Sequence, residues 1–179
     1  IVFTADHGDM QGAHGWNQKT VLYDGSSSVP LIISVPGTKG ARTCDRLVNT
    51  GVDLLPTLCN LAGMPVPGGL PGMSLKASVE KSDVPDPRAY VVVQNKMIQG
   101  SPVDGQKPEP AGRMVRSKRF KYCAFDFGDR RESLVDMEKD PGEMVNLAGK
   151  KELRQELERH RQYLREWCQN TNDTFVVPG

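Results

Sequence analysis

No apolar stretch in these 179 residues approaches the roughly 20 needed to cross a bilayer, so no transmembrane helix is expected. Nor does one sign of charge prevail. The 23 Lys and Arg stand against 22 Asp and Glu, a net charge of +1. A dedicated nucleic-acid binder ordinarily carries a basic excess, so nucleic acid is not an expected partner. Cysteine is sparse and unpatterned: Cys44, Cys59, Cys123 and Cys168 form no C-x-x-C pair, which argues against a zinc site. In a chain this long they are expected as buried thiols, with one or more disulfides as the alternative. A methionine or polar lead-in is missing too. The chain opens on Ile1-Val2-Phe3-Thr4, which reads as a buried strand already under way, so these residues are expected to be a piece of a longer protein.

Hydrophobic residues make up 37% of the chain and glycines number 18, a share close to that of globular domains. With 13 prolines besides, many turns and long loops are expected. Ile1–Thr4 and Val29–Val35 read as short strands. Between them Met10–Ser28 reads as a long loop, with a helical turn near Lys19–Tyr23. Within Val48–Gly63 a helix is expected, with Asp53 as N-cap, Pro56 in the first turn, Leu54, Leu58 and Leu61 on one face, and Gly63 as its stop. Gly and Pro dominate Gly63–Gly72 and recur in Gln99–Gly112, so both are expected as loops. Tyr90–Val93, Arg113–Ser117, Phe120–Phe125 and Ser133–Met137 read as strands. Phe120, Tyr122 and Ala124 alternate with Lys121 and Cys123 at period two. Lys151–Cys168 is an amphipathic helix with a stripe of Leu153, Leu157, Leu164, Trp167 and Cys168. Strand and helix alternate in the first half, while an antiparallel ribbon with a covering helix fills the second. The expected architecture is therefore the end of an α/β sheet domain, residues 1–88, followed by a small antiparallel α+β subdomain, residues 89–179.

Asp6 and His7 lie just past the first strand, where open α/β sheets place ligands. A carboxylate beside an imidazole can ligate a divalent cation. It can equally be a turn cap beside a packed ring, and two ligands do not close a metal site. The surroundings add to the pair. Gly12-Ala13-His14-Gly15, Lys19, Tyr23 and Val29-Pro30-Leu31-Ile32 follow in order and end at Pro36-Gly37. A second block runs Val52-Asp53-Leu54-Leu55-Pro56-Thr57-Leu58, closed by Ala62-Gly63. A third runs from Leu134-Val135-Asp136 through Asp140-Pro141-Gly142-Glu143 to Asn146-Leu147-Ala148. In this order the blocks resemble the C-terminal portion of the sulfatase family, within the alkaline phosphatase superfamily.

The resemblance implies an alkaline-phosphatase-like α/β fold and hydrolysis of sulfate esters, sulfated glycans included. Asp6 and His7 match late metal ligands of that family, usually for Ca²⁺, with Mn²⁺ or Mg²⁺ as alternatives. Lys19 matches the lysine that contacts the sulfate, and His14 the histidine near the substrate pocket. Periplasmic or extracellular location of the whole protein is implied as well. The family nucleophile, a Cys or Ser in C/S-x-P/A-x-R, has no match at any of the four cysteines. The chain is therefore expected to lack a nucleophile, to be inactive alone, and to need the missing N-terminal part. Its opened sheet, around Ile1–Thr4 and Leu31–Val35, is expected to expose an apolar face and promote self-association. Phosphate-ester or phosphonate hydrolysis, and a non-catalytic anion- or glycan-binding module, are the alternatives. Arg113, Arg116, Lys118, Arg119 and Lys121 form a basic cluster, expected as a solvated strand face or, alternatively, a docking surface for an anionic glycan. Asp140, Glu143 and Asn146 are expected to build a turn.

Overall fold

The computed structural model describes residues 1–37, 40–81, 84–98, 102, 105, 107 and 109–179. The elements run β1 (Val2–Thr4), α1 (Asp24–Ser27), β2 (Leu31–Ile33), α2 (Thr50–Leu61), α3 (Lys76–Glu80), β3 (Val91–Lys96), β4 (Ala111–Arg116), β5 (Phe120–Phe125), β6 (Glu132–Asp136) and α4 (Arg154–Thr171). Short 3-10 turns occupy Ala13–Gly15 and Lys151–Leu153. The chain folds as two compact units: Ile1–Asp6 with Val29–Ala89, and His7–Ser28 with Tyr90–Gly179. Within the expected loop Gln99–Gly112, residues 99–101, 103, 104, 106 and 108 lie outside the described residues, and Ala111 and Gly112 already belong to β4.

In the first unit β1 and β2 pair antiparallel, with Phe3 opposite Ile32. Ile1, Phe3 and Ile32 are exposed, so the strand read as buried instead presents the open apolar face that was also expected. Helix α2 starts earlier than its apolar pattern suggests. Asn49 is the N-cap, its side chain accepting from the Gly51 N–H at 3.1 Å. Asp53 is thus not the cap but lies one turn inside, fully buried. Its carboxylate accepts from Nη1 and Nη2 of Arg88 and from the backbone N–H groups of Asn49 (2.9 Å) and Met73 (2.8 Å). Arg88 and the backbone donors outweigh the burial penalty and hold this carboxyl below its ordinary range. Thr57, also fully buried, donates to the Asp53 carbonyl (2.6 Å) and accepts from the Leu75 N–H (2.8 Å). The buried face of α2 is therefore Asp53, Pro56 and Thr57, while Leu58 of the expected apolar face is exposed. Pro56 sits in the helix interior and cannot bond back to the Val52 carbonyl. Gly72 packs against that same carbonyl, so closely that a Cβ would collide with its oxygen.

The second unit is an antiparallel meander in the order β3-β4-β5-β6. Strand alternation sends Phe120, Tyr122 and Ala124 of β5 to one face, where Val92, Val115 and Leu134 join them. Leu157, Leu164 and Cys168 of α4 complete that core. The helix runs three residues past the expected end, to Thr171, and its buried stripe includes His160, fully buried between Leu157 and Leu164. The other face of the same strands carries Met114 and Cys123, packed against Leu22 from the Met10–Ser28 segment. All four cysteines are free thiols. Cys123 and Cys168 are buried, and burial pushes the Cys123 thiol up to about 12.

Candidate active site

The segment from His7 to Ser28 is a loop with internal order. The Met10 N–H donates to the Gln18 carbonyl at 3.0 Å and the Gly12 N–H to Trp16 at 2.8 Å, folding Met10–Gln18 back on itself around the Ala13–Gly15 turn. Asp9 braces its base, accepting from the N–H groups of Gln11 (2.9 Å) and Gln18 (3.3 Å). The helical turn expected at Lys19–Tyr23 forms instead at α1, directly after that segment. Gln11, His14, Gln18 and Thr20 all have left-handed backbones, with φ of 48°, 53°, 66° and 78°. Non-glycine residues rarely adopt this region, and a β-branched residue such as Thr20 least of all. Such strain persists only where neighbouring structure enforces it, and it concentrates at functional sites.

Two predicted substrate-contacting residues ride on this loop. His14, at the tip, is exposed and its ring stacks on Tyr23, centroids 3.9 Å apart and 5° from parallel. Tyr23 is half-buried, and burial beside the Glu143 carboxylate pushes its phenol up, so it remains neutral near pH 7. Lys19 is exposed beyond the base of the fold-back. The predicted metal ligands stand at its entrance, where the chain leaves one unit at Asp6 and enters the other at His7. Both are exposed. His7 Nδ1 lies 2.7 Å from the Gly8 carbonyl oxygen. A carbonyl only accepts, so Nδ1 carries the proton and Nε2 is the basic nitrogen, the form in which imidazole ligates a cation.

The groups that anchor the loop were not recognisable from local patterning. Lys121, read within a solvated basic cluster, is only 1% exposed. Its ammonium donates to Asp24 (2.8 Å) and Glu143 (2.6 Å), and Glu143 also accepts the Asp24 N–H at 2.6 Å. Glu143 reaches inward from the Asp140-Pro141-Gly142 turn with a φ of 56°, so that turn serves the loop as well as the chain reversal. The arginines of the basic cluster also have partners within the chain. Arg113 pairs with Asp173 at 2.8 Å, Arg119 with Asp136 at 2.6 Å, and Arg116 donates to the carbonyls of Ser117 and Lys118.

The loop between His7 and Ser28 thus carries an exposed imidazole and an exposed ammonium and is entered through a carboxylate–imidazole pair, the types of group that can engage an anionic ligand. The particular family follows from comparison. Residues 12–170 match the family described as N-sulphoglucosamine sulphohydrolase, C-terminal. A Delta 4,5-hexuronate-2-O-sulfatase of Bacteroides thetaiotaomicron is 35% identical over 178 residues, 98% of this chain and 36% of that protein. The structure of a 2-O GAG sulfatase matches with a TM-score of 0.83 at 35% identity, covering 100% of this chain and 38% of that one. A phosphonate monoester hydrolase from Silicibacter pomeroyi matches with a TM-score of 0.75 at 31% identity, covering 95% of this chain and 35% of that one. The chain belongs to the sulfatase family and has its alkaline-phosphatase-like fold. It spans little more than a third of the length of these relatives.

Proposed function

We propose that the protein containing this chain hydrolyses sulfate esters, sulfated sugars foremost, outside the cytoplasm and with a divalent cation. The observation that carries this reading is the strained loop that presents His14 and Lys19 within a chain matching sulfatases from residue 12 to 170. Lys19 places a positive charge where an ester oxygen gains negative charge as its bond to sulfur breaks. His14, held flat against a neutral Tyr23, offers a ring of fixed orientation to the substrate.

Asp6 and His7 are the residues of this chain that would hold the cation, with Ca²⁺ first and Mn²⁺ or Mg²⁺ as alternatives. A carboxylate oxygen and an imidazole nitrogen suit such ions, and the His7 tautomer fits. They form only part of a donor set, since among the described residues no group of three or more His, Cys, Asp or Glu is arranged to hold a metal. When bound, the cation would withdraw charge from the sulfuryl oxygens. The nucleophile would come from outside these 179 residues, and the isolated chain would not turn over.

The test is Lys19→Ala in the full-length protein, assayed on an aryl sulfate. The expected loss in kcat is about 100-fold, the scale of one transition-state donor; wild-type turnover would remove Lys19 from the reaction. A second reading, hydrolysis of phosphonate or phosphate esters, is favoured by the likeness to the phosphonate monoester hydrolase. The same assay, run on matched aryl sulfate and aryl phosphonate esters, separates the two.

A further inference from the structure

Lys19 is joined to Thr20, whose φ of 78° is the largest departure among the non-glycine residues of the loop. The sheet reaches that residue directly. Asn95, on β3, donates from Nδ2 to the Thr20 carbonyl at 2.6 Å. The same carboxamide has an unfavourable side: its Oδ1 is buried and has no hydrogen-bond partner among the described residues. An unmade bond to a buried acceptor costs more than a made one contributes, and asparagine is a poor strand former. Leucine, of similar size, would avoid both penalties. Stability therefore does not account for Asn95, whereas its donor to the strained peptide does.

The surroundings aim that donor. Directly opposite Asn95 in the β3–β4 register stands Gly112. A Cβ there would collide with Asn95 Oδ1 and lie 2.8 Å from Phe125 and 3.0 Å from Leu22, so the space occupied by the carboxamide exists because residue 112 has no side chain. Two residues beyond Thr20, Leu22 is buried against Met114 and Cys123. Beyond that, Lys121 and Glu143 grip Asp24. The chain on the C-terminal side of Lys19 is thus held from the sheet, starting at the Thr20 carbonyl.

We propose that Asn95 is a positioning residue for Lys19: its hydrogen bond to the Thr20 carbonyl fixes the backbone one residue beyond Lys19 and so aims the ammonium at the substrate. The proposal rests on the reading of Lys19 given above. Its test uses the full-length enzyme and an aryl sulfate, with Asn95→Asp, Asn95→Leu, Lys19→Ala and the two double variants. Asp keeps the size of Asn but, ionised, can only accept. Leu removes donor and orphaned acceptor together. Both single variants are expected to lower kcat/KM about tenfold, the upper range for one hydrogen bond, with rates normalised to the folded fraction. Asn95→Leu should do so at an unchanged or raised melting temperature, which a merely structural role would not produce. In the Lys19→Ala background neither substitution should lower the rate further. Wild-type kcat/KM in both Asn95 variants would overturn the proposal, as would an undiminished tenfold loss when Lys19 is already Ala. If Lys19→Ala itself keeps wild-type turnover, the reading of Lys19 fails, and that result is visible without any Asn95 variant.

Discussion

The four-stranded sheet of the second unit is covered on both faces, and the two covers work differently. Toward α4, residues Val115, Tyr122, Ala124 and Leu134 meet Leu157, Leu164 and Cys168, an apolar contact made by residues at regular strand and helix spacing. Toward the loop, the intervening residues Met114, Lys121 and Cys123 meet Leu22, Asp24 and Glu143 through a small apolar patch and a buried ion cluster. Apolar burial is non-directional and tolerates small shifts. Charge-assisted hydrogen bonds are directional and fix coordinates. One set of strands thus provides stability on one face and placement of a strained loop on the other.

The sharpest way to break this division is Lys121→Met. It leaves the Glu143 carboxylate, 5% exposed, without its ammonium. Removing one partner of a buried ion pair costs about 3–5 kcal/mol, and urea unfolding should show a loss of that order. Activity of the full-length protein should fall as well, because the same bonds hold Asp24 beside the His14–Tyr23 stack. A stability loss below about 1 kcal/mol would mean that water reaches Glu143 and the cluster does not anchor the loop.

Leu164→Ala tests the opposite face. The residue is fully buried under β4 and β5, and such truncations cost about 2–5 kcal/mol; a value near 3 is expected by urea unfolding. Here kcat/KM per folded molecule should stay at the wild-type level. A rate loss matching that of Lys121→Met would show that the two faces do not act separately.

Legibility from sequence divides along the same line. The alternation of Phe120, Tyr122 and Ala124 and the spacing of Leu157, Leu164 and Cys168 are periodic, and periodicity survives without knowledge of partners. The motifs around Asp6, His7, His14 and Lys19 are likewise local strings. What stayed hidden depends on distant pairs. Asp53 looks like a helix cap because Arg88, 35 residues on, is invisible to a local reading. Lys121 looks solvated among four basic neighbours because its anions lie 97 residues back and 22 ahead. Asn95 carries no signal at all: its meaning lies in the Thr20 carbonyl and in the missing side chain at Gly112, whose place its carboxamide takes.

His160 is the polar exception on the apolar face, missed because an amphipathic count treats histidine as a surface residue. It is fully buried, its ring edge-on to Phe120 and Tyr163. Nδ1 lies 2.9 Å from the Glu156 carbonyl and Nε2 3.0 Å from Ser117 Oγ. The Glu156 carbonyl needs a donor, so Nδ1 carries a proton; the Ser117 hydroxyl, which also reaches the Phe120 carbonyl at 3.1 Å, can donate its one proton to Nε2, and burial favours that neutral ring. Burial pulls its pKa below the ordinary 6.5, against the raising effect of the Glu156 carbonyl and carboxylate. The sign of the linkage follows. Below about pH 6.5 the unfolded chain takes up a proton that the folded chain resists, so stability falls as pH drops from 6.5 toward the folded value. Carboxylates held low by their partners, Asp136 and Glu132 among them, lose their contribution only at more acid pH. Urea unfolding at pH 7 and pH 5 should therefore show a decline in wild type that is largely absent in His160→Phe, which fills the same space without titrating. An equal decline in both proteins would place the pH dependence elsewhere and leave the helix face as indifferent to protons as its leucines are.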